Sequence, residues 1–203
     1  MYRNTTLRAA LMGAAAAVTA LVLAGCGSGH SGMDHGSGAT PGATASSSIG
    51  AYNDADVAFA QAMIPHHQQA VRMAQLAPTR AADAEVKALA EQIRAAQDPE
   101  IATMTGWLQT WQRPTTMPGH ESGHQGMPGM MSDAQLAALQ AASGREFDRM
   151  FSELMIAHHE GAIMMAQQEI ANGANAAAKE LAQQIITAQQ AEIATMKALL
   201  ARL

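Results

Sequence analysis

The segment Met63-Ile64-Pro65-His66-His67, continued by Ala70, Met73 and Ala74, returns later in the chain. It reappears as Met155-Ile156-Ala157-His158-His159 with Ala162, Met165 and Ala166. The offset is 92 residues, counted from Met63 to Met155, and it holds without a gap from Asp56/Asp148 through Phe59/Phe151 to Leu108/Leu200. A tandem duplication of this length restricts the fold more than any local pattern. Whatever one half forms the other must form too, and each must bury its apolar face against its copy.

Each half reads as a helical hairpin. Asn53 is a candidate N-cap, with Asp56 three residues on in a short capping box. Asp56, Phe59, Met63, His66/His67, Ala70 and Met73 recur at three- and four-residue steps, one face of an amphipathic helix. Pro65 lies inside this helix, where a proline removes one backbone bond and costs about 3 kcal/mol. A kink just before the histidine pair is therefore expected, with Pro78 ending the helix. A second helix, from about Ala81 to Gln112, presents Leu89, Ile93, Ala96/Gln97, Glu100/Ile101, Met104 and Leu108. Pro99 is a second kink position and Pro114 the stop. In the second half Ser132 and Gln135 form a capping box, and Ser143-Gly144 separates a short helix from a long one. The long helix starts near Arg145, carries the second histidine pair and stops at Asn172-Gly173. The last helix, from about Ala174 to Ala201, repeats Leu181, Ile185, Ala188/Gln189, Glu192/Ile193, Met196 and Leu200.

The expected fold is all-α: an up-down-up-down four-helix bundle over residues 51–203, built from two tandem hairpins at about 54–112 and about 145–202. The first and third long helices would lie on a diagonal and run parallel, placing the two histidine pairs at one height across the core. The composition agrees, with 48% hydrophobic residues, 3% aromatics and an abundance of helix-forming Ala, Gln, Glu and Leu.

Before the bundle, Arg3 and Arg8 precede an apolar run from Ala9 to Ala24, the charged and hydrophobic regions of a secretory signal. The run is too short and too Ala-rich for a permanent span. It ends Leu23-Ala24-Gly25-Cys26, which resembles a bacterial lipobox. That resemblance implies removal of residues 1–25, lipidation of Cys26 and an extracytoplasmic, membrane-anchored protein. Cys26 is the only cysteine, so neither an intrachain disulfide nor a thiolate cluster can form. Residues 26–50 read as a flexible Gly/Ser/Ala/Thr-rich tether of roughly 25–30 Å, interrupted by His30, Met33 and His35. A second such segment, 114–131, holds Met117, His120, His124, Met127, Met130 and Met131 among Gly and Pro. No packed core element is expected there, and its length points to function or disorder. Secondary metal capture is the function its residues suit.

The formal net charge is −5, without the basic footprint of a nucleic-acid binder. There are 15 methionines. A methionine three residues before one histidine and four before the next puts thioether and imidazole on one helical face. Those donors suit copper; the thioether favours Cu(I) or the similar Ag(I), and imidazole also holds Cu(II). The candidate ligands are Met63, His66, His67, Met73, Met155, His158, His159 and Met165. Carboxylate di-iron bundles use Glu-x-x-His, and here Met63 and Met155 stand at the Glu position. This disfavours iron or manganese, although Asp56, Glu100, Asp148 and Glu192 recur on the inner stripe and keep a metal oxidase as an alternative. Methionine is also a good core filler, so a metal-free tethered interaction bundle is the other alternative. No nucleophile setting, phosphate loop or zinc-protease motif is present, and no catalytic turnover is expected. Pairing of bundles through their outer faces into a homo-oligomer is compatible with the pattern.

Phe59…Met63-Ile64-Pro65-His66-His67-Gln68-Gln69-Ala70…Met73-Ala74 and Phe147-Asp148…Phe151…Met155-Ile156…His158-His159-Glu160-Gly161-Ala162…Met165-Ala166 resemble the two hallmark segments of the bacterial domain-of-unknown-function family 305. Gln97…Glu100-Ile101…Met104…Trp107-Leu108 resembles that family's following helix, so the likeness runs from about Asp54 to the C-terminus. It implies a ferritin-like four-helix bundle, usually exported, in which some members bind copper through His and Met. Leu199 stands where the first repeat has Trp107, so any role of that tryptophan is not shared between the halves.

Overall fold

The computed structural model describes residues 50–116 and 127–203. The signal segment, Cys26, nearly all of the tether, and Met117, His120 and His124 lie outside the described residues. Six helices follow in order: α1 (Asp54–Ala74), α2 (Ala77–Arg80), α3 (Ala84–Thr110), α4 (Asp133–Ala141), α5 (Gly144–Asn172) and α6 (Ala176–Leu200). Among the described residues no helix is long and apolar enough to cross a membrane.

The helix signals act locally as their chemistry dictates. The Asn53 side chain accepts from the Ala55 and Asp56 amides while the Asn53 amide donates to Asp56 Oδ2 at 2.6 Å. The Ser132–Gln135 capping box opens α4. α1 continues through Pro65 and α3 through Pro99 as single helices. α1 ends at Ala74, before Pro78. The proline instead occupies the first turn of α2, where its missing N–H leaves no bond unmade. α5 stops before Gly173, where φ is −66° and ψ 157°, extended backbone open to any residue. Glycine is needed for a different reason: a Cβ at this position would collide with the Glu169 carboxyl group.

The expected all-α bundle of two tandem hairpins is present. α3 returns along α1, with Arg113 pairing to Asp54 at 3.1 Å and the Trp111 ring stacked on Tyr52 at 4.7 Å. α6 returns along α5, where Arg145 reaches the Leu203 carbonyl.

The relative direction of the hairpins differs from the expected alternation. Asp56, at the start of α1, accepts from the Ala174 and Asn175 amides just beyond the end of α5, at 3.1 and 2.8 Å. Asp148, near the start of α5, accepts from the Ala82 and Asp83 amides beyond α1, at 3.1 and 3.0 Å. α1 and α5 are therefore antiparallel, and the order along the chain is up, down, down, up. The two bonds are copies of one another at the repeat offset, as in an isologous dimer made covalent. A pseudo-twofold axis perpendicular to the helices, rather than parallel to them, relates the halves. The repeat alone accommodates either axis, since both bring the histidines together. The distinguishing signal is the connection between α3 and α5, long enough to return along the bundle as the single crossover of ferritin-like folds does.

The core divides into two apolar clusters. One contains Met73, Phe147, Phe151, Met155, Met196 and Leu199; the other contains Phe59, Met63, Met104, Leu108, Ala162, Met165 and Ile185. The four paired histidines belong to neither, although all four are fully buried.

Candidate metal centre

With an axis perpendicular to the helices, only residues on it meet their own copies. His66 and His158 do so: their rings lie 3.7 Å apart between centroids, tilted by 36°. The adjacent histidines are turned about 100° around each helix and face their own hairpin partners. His67 Nε2 lies 2.7 Å from Glu100 Oε2 on α3, and His159 Nε2 lies 2.6 Å from Glu192 Oε2 on α6.

These contacts assign the ring protons. His66 Nε2 sits 3.1 Å from the Pro128 carbonyl oxygen, which can only accept, so Nε2 carries the hydrogen and Nδ1 the lone pair. His67 and His159 donate from Nε2 to their glutamates. All four Nδ1 atoms, and His158 Nε2 as well, are buried without a hydrogen-bond partner. Burial, reinforced by the neighbouring imidazoles, pushes His66 down to about 3 and His158 well below its ordinary value. Both rings are thus neutral at physiological pH, the form that binds metals. An unpaired buried nitrogen costs about 1–3 kcal/mol, and native cores leave few of them. Gln97 Nε2 and Oε1 and Gln189 Oε1, equivalent in the two repeats, are orphaned in the same core. A soft ion taking the lone pair of an imidazole would relieve part of this deficit, and neutral imidazole is a donor that suits copper.

Residues 127–131, the described end of the connection to α4, close over this centre. Met130 N donates to Met127 O in a turn with Gly129 at φ 76°. A Cβ on Gly129 would overlap the Ala157 and His158 backbone, and one on Gly161 would overlap the Pro128 carbonyl. Two glycines from different elements therefore allow the strap to reach His66. Gln69, the counterpart of Gly161 in the first repeat, ties the strap down from the other side. Its side chain accepts from Met131 N at 2.7 Å and donates to Met131 O at 2.9 Å.

Of the expected ligands, His66, His67, His158 and His159 come together at the bundle centre. Met63 and Met155 flank them, each three residues before the axial histidine. Met73 and Met165 are buried further out, in opposite clusters. Met127 packs on the core and Met131 is buried in it, so this end of the linker is packed, contrary to the expectation from its composition. Its Gly and Pro content hid this, because the anchoring is made by backbone atoms. The carboxylate set of the oxidase alternative does not assemble. Asp56 and Asp148 hold loops at opposite ends of the bundle, and only Glu100 and Glu192 reach histidines. Among the described residues no three His, Cys, Asp or Glu side chains converge on one point.

The family model described as "Domain of unknown function (DUF305)" matches residues 56–200. Among solved structures, a candidate secreted DUF305 protein from Streptomyces coelicolor is 35% identical with a TM-score of 0.68, over 73% of this chain and 93% of that one. A DUF305 fragment from Deinococcus radiodurans is 34% identical with a TM-score of 0.67, over 74% and 98%. CopM in its Cu(II)-bound form is 38% identical with a TM-score of 0.63, over 72% and 96%, and CopM is also solved in Cu(I)-bound and Ag-bound forms. No curated protein matches the chain.

Proposed function

The chain belongs to the DUF305 family, and from that premise we propose that it is an extracytoplasmic copper-binding protein, anchored by lipid at Cys26, that sequesters the metal or hands it on without catalytic turnover. The observation that carries this reading is the group of five unpartnered ring nitrogens on four fully buried imidazoles at the pseudo-twofold axis. Neutral imidazole with flanking thioether is a borderline-to-soft donor set that accepts copper in either oxidation state and accepts Ag(I). The likeness to CopM, solved with Cu(I), Cu(II) and Ag, supports the same metals here. Iron or manganese would call for more carboxylate at the centre than Glu100 and Glu192 supply. The signal-like N-terminus and the likeness to a candidate secreted protein support the location outside the cytoplasm.

Competition titration of the full chain with Cu(I) and Ag(I) against a chromophoric chelator tests the proposal. Replacing His66, His67, His158 and His159 by Ala is expected to lower affinity at least tenfold. Unchanged affinity and stoichiometry in that variant would reject a core site.

A further inference from the structure

The two ends of the bundle are copies in backbone but not in surface. At the end where the chain enters, Asn175 Nδ2 donates to the Gly50 and Ala51 carbonyls at 3.4 and 3.3 Å. Beside them three aromatic rings form a stack. Tyr52 lies 4.7 Å from Trp111 at 11°, and Trp111 lies 6.0 Å from Trp107 at 21°. Tyr52 is exposed, Trp107 is half-buried, and the Tyr52 hydroxyl donates to the Trp111 carbonyl at 3.2 Å. The repeat offset turns Tyr52, Trp107 and Trp111 into Gly144, Leu199 and Leu203, so these positions carry no aromatic ring at the opposite end. Charge is distributed the other way. Arg80, Asp83, Glu85, Arg145, Arg149 and Arg202 at the opposite end correspond to Asn172, Asn175, Ala177, Asn53, Val57 and Thr110 at this one. Asp54 stays charged as the copy of Glu146, and it pairs with Arg113.

We propose that this end of the bundle rests on the lipid surface that holds the Cys26 anchor, with the Tyr52–Trp111–Trp107 stack seated among the headgroups. The inference rests on the lipid-anchor part of the reading above and not on its copper. Tyrosine and tryptophan join an apolar ring to a polar edge, and for that reason they collect at membrane–water interfaces. Charged side chains resist leaving water, and six positions that are charged at the opposite end are neutral at this one. Lys179, matched at the opposite end by Lys87, leaves a cation for anionic headgroups. Among the described residues no helix can cross a bilayer, so the contact is peripheral. By its composition the stretch from Cys26 to Gly50 spans roughly 25–30 Å. A linkage of that reach holds the patch at roughly millimolar effective concentration near the surface, so a small and weak patch suffices to orient the bundle. The charged end then faces away from the membrane.

Trp107 and Trp111 are the only tryptophans, so intrinsic emission reports this end alone. The lipidated chain in phosphatidylglycerol–phosphatidylethanolamine vesicles, with acyl chains brominated or not, tests the contact. Brominated lipid is expected to quench the emission about twofold, as for rings at the interface. Tyr52→Glu puts a charge on the exposed side of the stack and should abolish most of the quenching, with helical circular dichroism retained. Trp107→Leu and Trp111→Leu copy the other repeat, and adding Leu203→Trp moves the reporter to the opposite end, where no quenching is expected. Equal quenching at both ends, or none in the lipidated wild type, would overturn the orientation and leave the anchor intact. Quenching that Tyr52→Glu does not reduce would overturn the role of the stack. Tryptophans shielded from acrylamide only in a dimer without vesicles would assign the stack to a second copy and overturn the proposal. Absence of acyl groups on Cys26 by mass spectrometry would overturn anchor and orientation together.

Discussion

Glu169 is a buried carboxyl group, 2% exposed, whose oxygens find no donor, and it faces Asp56. Burial first, and then the Asp56 carboxyl, push it from 4.5 up to about 8, against a weaker pull from Lys179. Burial pushes Asp56 up as well, but hydrogen bonds from the Asn53, Asn175 and Ala174 amides outweigh it and hold that carboxyl below its ordinary value. The pair therefore shares one proton, carried by Glu169. Between pH 4.5 and 8 the folded chain keeps this proton and the unfolded chain releases it, so stability falls as pH rises through that window. Each pH unit removes about 1.4 kcal/mol, so Glu169 costs about 3 kcal/mol at pH 7 and nothing near pH 4. Glu169→Gln keeps a donor for Asp56 and cannot ionise. Urea unfolding followed by circular dichroism, with chelator present so that metal linkage does not enter, should show the variant more stable by about 3 kcal/mol at pH 7 and equal to the wild type near pH 4.5. The wild-type slope over this window should largely vanish. A variant with the wild-type slope, or one destabilised at pH 7, would refute the shared proton. The symmetry-related end of the bundle supplies an internal comparison, because there Asp148 takes the place of Asp56 and the residue equivalent to Glu169 is Ala77.

Three further outcomes follow from the geometry. Gly161→Ala forces the Pro128 carbonyl away and breaks its bond to His66, and overpacking of this kind costs about 1–3 kcal/mol, measurable as a lowered Tm. Asp148→Ala removes the acceptor for the Ala82 and Asp83 amides and should cost about 2–3 kcal/mol in urea unfolding, since bonds to a charged acceptor are the stronger kind. Replacing Glu100 and Glu192 together by Ala frees the His67 and His159 rings and should weaken copper binding about 10–100-fold in competition titration, the usual effect of losing a ligand's orienting partner.

Much of the architecture is readable in the chain. The helices, their caps and their inner faces follow from periodicity and capping residues, because those are local interactions. The meeting of the histidines follows from the repeat, since a symmetric pair of helices must cross somewhere on its own axis. Helix direction is not local. It depends on the connection between α3 and α5 and on Asp56 and Asp148, whose spacing on the inner stripe looks the same whether they serve a metal or a loop amide. Pro65 and Pro78 show a related ambiguity: the residue type marks a break, but packing on both sides carries α1 through the first and has already ended it before the second. The strap was unreadable for a further reason. Its contacts use the Pro128 carbonyl, the Met131 backbone and the bare faces of Gly129 and Gly161, none of which leaves a side-chain pattern. Glu169 breaks the repeat at Ala77, and comparing the two halves position by position would have found it.

The central claim is that the buried imidazoles are ligands with lone pairs on Nδ1. Long-range 1H–15N correlation of the histidine ring nitrogens reports tautomer and metal contact directly, with Ag(I) as the diamagnetic probe. The account predicts Nε2–H tautomers for His66, His67 and His159 without metal, and a large shift of the His158 and His66 ring nitrogens as Ag(I) is added. Protonated rings before metal, or ring nitrogens that do not move while the ion binds elsewhere, would contradict it.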